Sequence, residues 1–222
     1  MNNEEKQNLI QRWQELNHEL AGADSSREVK LLAVSKYAPD EAVQILIDAG
    51  QDCFGESRPQ NLRDRAAKWP ACAWHMIGPL QKNKAKFVGR HAAMWHSCEN
   101  LETVQAVAAH VKERVLPVLI QVNIANVQQQ HGLRPVDVPE FAKDLAKIEG
   151  LKLAGLMCMA AKDGDARQAF RELRNLRDAL FGGSFAELCM GMSGDYHIAL
   201  EEGASMVRLG STLFGDWDTR RQ

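Results

Sequence analysis

The sequence lacks a cysteine framework. Its five cysteines are odd in number and widely spaced, and no C-x-x-C pair occurs among the 222 residues. Secreted domains held by disulfides use even numbers of cysteines, so this pattern indicates free thiols, and we expect a cytoplasmic location. The polar N-terminus also lacks the apolar core of a signal peptide. The cysteines are Cys53, Cys72, Cys98, Cys158 and Cys189.

Long apolar runs and basic runs are also missing. Every apolar stretch is far too short to cross a bilayer, so we expect no contact with a membrane. The net charge is -2, and no cluster of lysine and arginine stands out, so we expect no nucleic-acid partner. Apolar residues make up 45% of the chain, which is enough to bury a large core.

A dinucleotide-binding fingerprint is absent as well. Eight strand-like runs alternate with mostly helical patterns, which predicts an α/β protein with a parallel sheet covered by helices. Eight such units in a chain of this length favour a closed (β/α)8 TIM barrel. An open doubly wound sheet is the alternative, but Ser35 and Lys36 stand where its G-x-G-x-x-G motif would begin. The runs cover residues 31–36, 53–56, 74–78, 94–97, 118–123, 152–157, 187–192 and 206–210.

The pattern predicts one domain over residues 1–222. Residues 1–22 are predicted to form an extra helix packed on the barrel, because four apolar residues recur there at helical spacing. The helices after the second and third strands have the weakest patterns, since Pro59 and Pro79 lie close to those strand ends and favour loops. The apolar residues of the first helix are Leu9, Trp13, Leu16 and Leu20.

Two stretches at predicted strand ends are typical of an anion site. "GMSGD" (191–195) and "VRLGST" (207–212) place small residues and hydroxyls after strands seven and eight, the usual phosphate site of a (β/α)8 barrel. Each stretch could be an ordinary turn. Their presence together on one rim favours a phosphate site, and Asp195 is predicted to cap the helix that follows.

Lys36 ends the first buried strand. It could be a solvated lysine leaving the strand, but a lysine at a barrel mouth can also attack a carbonyl to form a Schiff base. Arg208 lies two residues before Gly210 and therefore shares its face of the last strand. An aldehyde for the lysine, a phosphate site and a cation beside a ring together describe pyridoxal 5'-phosphate (PLP).

The chain resembles a known family at these positions. It looks like the YggS/PROSC family of PLP homeostasis proteins, which are similar to the barrel domain of alanine racemase, a PLP enzyme of fold type III. The matching stretches run in order over nearly the whole chain from residue 31 onward: "LLAVSK" (31–36), "FGE" (54–56), "WHMIGPLQKNK" (74–84), "GLMCM" (155–159), "GMSGD" (191–195) and "VRLGSTLFG" (207–215).

The resemblance implies a role for each site residue. Lys36 would hold PLP as a Schiff base, and Arg208 would face the pyridine nitrogen. The phosphate would be held by Ser193, Gly194, Gly210 and Ser211. The rest of the pocket would be lined by Ser57, His75 and Met157.

The resemblance also implies a function without robust catalytic turnover. Such a protein would bind, buffer or deliver PLP and so keep vitamin B6 and amino-acid pools in balance. Its partners would be PLP and PLP-dependent apo-enzymes, and we expect a monomer. No metal site is expected, because His91, His96 and Cys98 form only a loose group without a fourth ligand at a recognised spacing.

The sequence departs from the family pattern at two places near the pocket. The family motif G-E-N-Y-x-Q is "GESRPQ" here, so Ser57 and Arg58 replace Asn and Tyr, and the shorter Ser57 would lose a contact near the cofactor. His131 stands before Gly132, where the family often has Lys. PLP binding is still expected.

Two other functions remain open. One is a weak PLP-dependent amino-acid racemase, which needs a second acid or base on the opposite face of the ring. The chain has only two tyrosines, Tyr37 and Tyr196, and no residues for the second domain that supplies a tyrosine in alanine racemase. The other is a PLP-free aldolase or phosphosugar enzyme that forms a Schiff base on the same fold.

Overall fold

The chain forms a closed parallel barrel. A computed structural model describes residues 1–23, 28–127, 130–161, 163–182 and 186–215. In this part, eight parallel strands pair in sequence order, and the last closes on the first, as predicted. The strands are β1 (Lys30–Val34), β2 (Cys53–Glu56), β3 (Ala73–Met76), β4 (Met94–Cys98), β5 (Leu116–Val122), β6 (Leu151–Cys158), β7 (Glu187–Cys189) and β8 (Met206–Leu209).

Helices follow the strands around the outside. The two helices with the weakest sequence patterns are both present, and Pro59 begins the first of them, since a proline at the first helical position loses no hydrogen bond. Pro79 lies in the turn before the second. The helices are α1 (Asn3–Ala23), α2 (Asp40–Ala49), α3 (Pro59–Lys68), α4 (Ala85–His91), α5 (Leu101–Ala108), α6 (Val138–Leu145), α7 (Ala166–Phe181), α8 (Tyr196–Glu201) and α9 (Ser211–Phe214).

Helix α1 is the extra N-terminal helix that the apolar spacing predicts. Its buried residues Leu9, Leu16 and Leu20 belong to the core between strands and helices. The indole N–H of Trp13 donates to the Gln51 side-chain oxygen at 2.8 Å, and Gln51 donates in turn to the backbone of β1 at Leu31. The helix is therefore attached directly to the barrel.

Strand β1 ends before Lys36. The predicted run reached Lys36, but the amide of Ala38 donates to the carbonyl of Ser35, so a turn begins one residue after Val34.

Strand β7 is also shorter than predicted. Gly191 takes a φ of +93° and packs against α8, where a Cβ would lie 2.7 Å from the Ala199 Cβ.

The barrel interior contains a buried chain of polar side chains. Ring nitrogens of His75 and His96 lie 2.9 Å apart, and the His96 Nδ1 lies 3.2 Å from the Cys189 Sγ. The other end of the chain is Cys53, whose Sγ lies 3.5 Å from the His75 Nε2. Burial lowers the pKa of His75 to about 3 and that of His96 well below its ordinary value. Both imidazoles are therefore neutral in the fold at neutral pH.

This burial predicts an acid-dependent loss of stability. The unfolded His75 takes up a proton below about pH 6.5, whereas the folded one does not until about pH 3. The contribution of the neutral, buried His75 to the free energy of unfolding is therefore complete above about pH 6.5, and it decreases as the pH falls. We expect His75→Gln to flatten the slope of unfolding free energy against pH, between about pH 6 and 4, by up to about 1.4 kcal/mol per pH unit.

Urea unfolding at a series of pH values measures this slope. His18→Gln, on an exposed position of α1, is the control and should keep the slope of the unmodified protein. Equal slopes for His75→Gln and the unmodified protein would contradict the neutral, buried state of His75.

Candidate functional site

A cavity of about 380 Å³ opens at the carboxyl ends of the strands. Eight of the nine residues predicted to bind the cofactor line it: Lys36, Ser57, Met157, Ser193, Gly194, Arg208, Gly210 and Ser211. Strand alternation explains most of this convergence, because residues two apart on a strand face the same side. Val34 at the end of β1 and Arg208 of β8 face the cavity, Gly210 follows β8 directly, and Lys36 reaches the cavity from the turn after β1.

Lys36 is held at the cavity by the turn that carries it. The turn is fixed by Arg65 of α3, whose guanidinium donates to the carbonyl of Ser35 at 2.9 Å and to that of Ala38 at 2.6 Å. The Lys36 Nζ lies 4.9 Å from the centre of the Tyr37 ring. Within the described ranges, no carboxylate lies within salt-bridge distance of Lys36. The amine therefore lies at the cavity without an ion pair to any described carboxylate.

A buried ion pair supports the same turn. The Glu56 side chain is fully buried and accepts hydrogen bonds at Oε1 from the Ser35 hydroxyl (2.6 Å) and from Arg65 (2.8 Å). Burial raises the pKa of Glu56, and the nearby Arg65 opposes that shift. The sequence placed Glu56 at a strand end but carried no signal for Arg65, which reaches the turn only through the packing of α3.

The stretches after β7 and β8 lie side by side. The hydroxyl of Ser193 accepts a hydrogen bond of 3.2 Å from the amide of Thr212 and so joins the two stretches. The amides of Gly194, Gly210 and Ser211 donate to no other group of the described chain. A Cβ on Gly194 would have no atom within 4 Å, so this backbone borders open space. Together the two stretches present the backbone N–H groups of Gly194, Gly210 and Ser211 to the cavity. We call this set of donors, with the Ser193 hydroxyl, the phosphate cradle, because such a set suits an anion.

Asp195 has a different role from the predicted helix cap. Its carboxylate makes no cap hydrogen bond to α8. It accepts instead from the amide of Met192 at 2.6 Å, while its own amide donates to the Met192 carbonyl. The side chain therefore closes the turn that presents Ser193 and Gly194.

Arg208 is buried and fixed by three hydrogen bonds. Its guanidinium donates to the Cys189 carbonyl (2.8 Å), the Cys189 Sγ (3.1 Å) and the Cys158 carbonyl (2.8 Å). These contacts hold the cation at the inner wall of the cavity. An arginine remains charged in proteins and does not readily release a proton.

His75 was predicted to line the pocket, but it is not among the described residues that line this cavity. His75 lies inside the barrel, one layer below, and bonds to His96. The cavity wall at β3 is formed instead by Ile77, two residues further along, with Gly78 and Pro79. Gly78 is required there, because a Cβ would lie 2.3 Å from the Ser57 carbonyl oxygen.

Ser97 near the end of β4 and Asn123 directly after β5 use their side chains for hydrogen bonds within the protein. The Ser97 hydroxyl accepts from the Trp95 indole and donates to the Gly78 carbonyl. The Asn123 side chain bonds to the backbone of the following loop at Val127. These residues shape the rim but do not line the cavity.

Several cavity residues were not predicted as binding residues. Gln121 could have been found, since it is a polar residue within an apolar strand and donates to the His131 carbonyl at 3.1 Å. His131 itself lines the cavity, and its Nδ1 lies 2.8 Å from the Glu99 Oε1. No sequence spacing connects Glu99 with His131. The remaining unpredicted residues are Val34, Ile77, Gly78, Pro79, Met159 and Met192.

The described ranges contain neither a metal-binding cluster nor a membrane-spanning helix. Within them, no group of three or more His, Cys, Asp or Glu side chains could hold a metal ion. No helix in the same ranges combines the length and apolar character needed to cross a membrane. All five cysteines are free thiols.

Comparisons with known proteins agree with this geometry. The alanine racemase N-terminal domain family matches residues 6–218. A pyridoxal phosphate homeostasis protein of Deinococcus radiodurans is 39% identical over 189 residues, covering 84% of this chain and 88% of that relative. A protein of the same name from Pasteurella multocida is 34% identical over 96% of this chain and 97% of its own length.

Solved structures of related proteins have the same fold as this chain. PipY of Synechococcus elongatus PCC7942, solved with PLP bound, is 29% identical and superposes with a TM-score of 0.82, covering 93% of this chain and 100% of PipY. Alanine racemase of Corynebacterium glutamicum shares the fold at a TM-score of 0.71 and 14% identity, and this chain spans 60% of it. The chain therefore belongs to the alanine racemase N-terminal domain family and, within it, to the pyridoxal phosphate homeostasis proteins.

Proposed function

We propose that this chain binds PLP and acts in intracellular PLP and amino-acid homeostasis without fast catalytic turnover. The observation that carries the proposal is the convergence of Lys36, Arg208 and the cradle after β7 and β8 on one cavity. Its relatives are named for PLP homeostasis, and the related PipY was solved with PLP bound.

The residues present fit each part of PLP. Lys36 supplies the amine for a Schiff base with the aldehyde. The amides of Gly194, Gly210 and Ser211, with the Ser193 hydroxyl, supply donors for the phosphate. Since β8 pairs with β1, the cradle and the amine come from adjacent strands, as a short molecule with an aldehyde and a phosphate requires.

Arg208 supports the absence of fast turnover. PLP supplies an aldehyde that condenses with amines and a ring that accepts electrons. A guanidinium fixed by three hydrogen bonds is a donor that keeps its proton, so it would leave the pyridine nitrogen unprotonated. A ring in that state withdraws electrons weakly, which suits reversible binding better than amino-acid chemistry.

A weak racemase-like activity is the second candidate. One observation favours it: His131 lines the cavity and is held by Glu99, and it follows β5, which lies opposite β1 in an eight-stranded barrel. Neither tyrosine lines the cavity, and the Tyr196 hydroxyl is bonded to Glu19. Exchange of the α-hydrogen of alanine for deuterium in the PLP-loaded protein, abolished in His131→Ala, would support this candidate.

We propose that residues 1–222 form one PLP-binding domain, that it acts as a monomer, and that PLP-dependent apo-enzymes receive the cofactor from it. A cytoplasmic location is proposed on the five free thiols.

Covalent labelling tests the role of Lys36. The protein mixed with PLP should show a visible absorption band, and borohydride reduction should leave a pyridoxyl group on Lys36 that peptide mapping identifies. Lys36→Ala should lose both, because Lys36 is the only lysine among the described residues that line the cavity. Lys30→Ala, at the exposed start of the same strand, is the matched control and should keep both. Label spread over surface lysines, unchanged in Lys36→Ala, would refute the proposal.

The ion pair between Arg65 and Glu56 supports the turn that carries Lys36, so a change at Arg65 should affect both stability and PLP binding. Arg65→Met should lower the unfolding free energy by about 3 kcal/mol, because it leaves the Glu56 carboxyl buried without its cation. It should also weaken PLP binding, since the turn loses two hydrogen bonds. Denaturant titration and PLP titration measure the two effects. Arg63→Met, in a more exposed pair with Asp64 on the same helix, should leave the unfolding free energy nearly unchanged, because water screens that pair. Equal effects of the two variants would contradict this role.

A further inference from the structure

Helix α1 contacts both helices that follow the phosphate cradle. Helix α8 begins at Tyr196, two residues after Gly194, and α9 begins at Ser211, which itself belongs to the cradle. Both helices are short, with six and four residues, so they have little internal hydrogen bonding to fix their positions. Their placement depends on what packs against them.

The contact with α9 is a hydrogen bond from Arg12. The Arg12 Nε donates to the carbonyl of Leu213 at 2.9 Å. This carbonyl lies at the end of α9, where the backbone has no further helical turn to bond with. Because α9 has only four residues, the bond fixes the position of Ser211 and Thr212 almost directly.

The contact with α8 is made by Glu19. One carboxylate oxygen accepts from the Tyr196 hydroxyl at 3.0 Å, and the other lies 2.8 Å from the His197 Nδ1. Tyr196 and His197 are the first two residues of α8. Glu19 thus holds the end of α8 that follows Ser193 and Gly194.

Arg12 and Glu19 are seven residues apart and therefore lie on one side of α1. The helix has 21 residues, and Leu9, Leu16 and Leu20 anchor it in the core. The two cradle stretches are also joined directly, by the 3.2 Å hydrogen bond from the Thr212 amide to the Ser193 hydroxyl and by a 3.0 Å hydrogen bond from the Arg208 amide to the Gly191 carbonyl. An anchored helix that bonds to both sides can set the distance between them.

We propose that α1 is a clamp that positions the two halves of the phosphate cradle through Arg12 and Glu19. Neither side chain lines the cavity, so both act as positioning residues and not as ligands. The clamp would set the affinity for the phosphate group of the ligand and leave the reaction of Lys36 with an aldehyde unchanged. This inference rests on the proposed function, since it concerns how the same cavity holds PLP.

The test compares two aldehydes that differ only in the phosphate. Dissociation constants for PLP and for pyridoxal are measured with Arg12→Ala, Glu19→Gln and Tyr196→Phe. We expect each variant to weaken PLP binding about tenfold, equivalent to about 1.4 kcal/mol, and to leave pyridoxal binding within about twofold. Arg12→Lys keeps a donor on α1 and should recover part of the PLP affinity.

Matched controls come from the same helix. Gln11 and Glu15 bond to each other on the exposed face of α1, so Gln11→Ala and Glu15→Gln should leave the affinities for both aldehydes unchanged. Urea unfolding of each variant checks that the fold persists. Tyr196→Phe removes only a hydroxyl from α8 and keeps the test valid if a change in α1 prevents folding.

The outcomes separate the clamp from the proposed function. Equal weakening of PLP and pyridoxal would mean that α1 supports the fold in general, and unchanged PLP affinity would mean that the cradle does not depend on α1. Either result overturns the clamp. Failure of the unmodified protein to bind PLP would refute the proposed function itself.

Discussion

The site depends on the alternation of side chains along parallel strands that close into a barrel. Every second residue of a strand faces inward, and all eight strands end at the same rim. This constraint brings Met157 and Arg208, which are far apart in sequence, to the same cavity, and Lys36 joins them from the turn that follows β1. It also separates the interior into layers, so that the neutral imidazoles of His75 and His96 lie below the residues that would contact a ligand.

Charge placement follows from the same geometry. The interior offers few partners for a cation, and Arg208 is stabilised by two carbonyl groups and a thiol from neighbouring strands. The carboxylate of Glu56 is kept outside the cavity, bonded to Arg65 and Ser35. The cavity therefore presents an amine, a guanidinium and backbone N–H groups, a set that favours a small anionic molecule.

The sequence predicted the barrel because apolar runs and helical stripes alternate eight times, and it indicated that Lys36, Arg208 and Gly210 would meet because they have fixed positions relative to their strand ends. It did not separate His75 from the cavity residues, because strand periodicity gives the face of a residue but not its depth. It could not indicate Arg65 or Glu99, whose contacts depend on how helices and loops pack across the rim. The contacts of Arg12 and Glu19 with α9 and α8 span about 200 and 180 residues and carry no local signal.

A crystal structure of the protein soaked with PLP tests the central claim most directly. The account predicts continuous density from the Lys36 Nζ to the ring, with the phosphate within hydrogen-bond distance of the amides of Gly194, Gly210 and Ser211. Density for PLP at another lysine, or a phosphate bound away from the two stretches, would contradict the account.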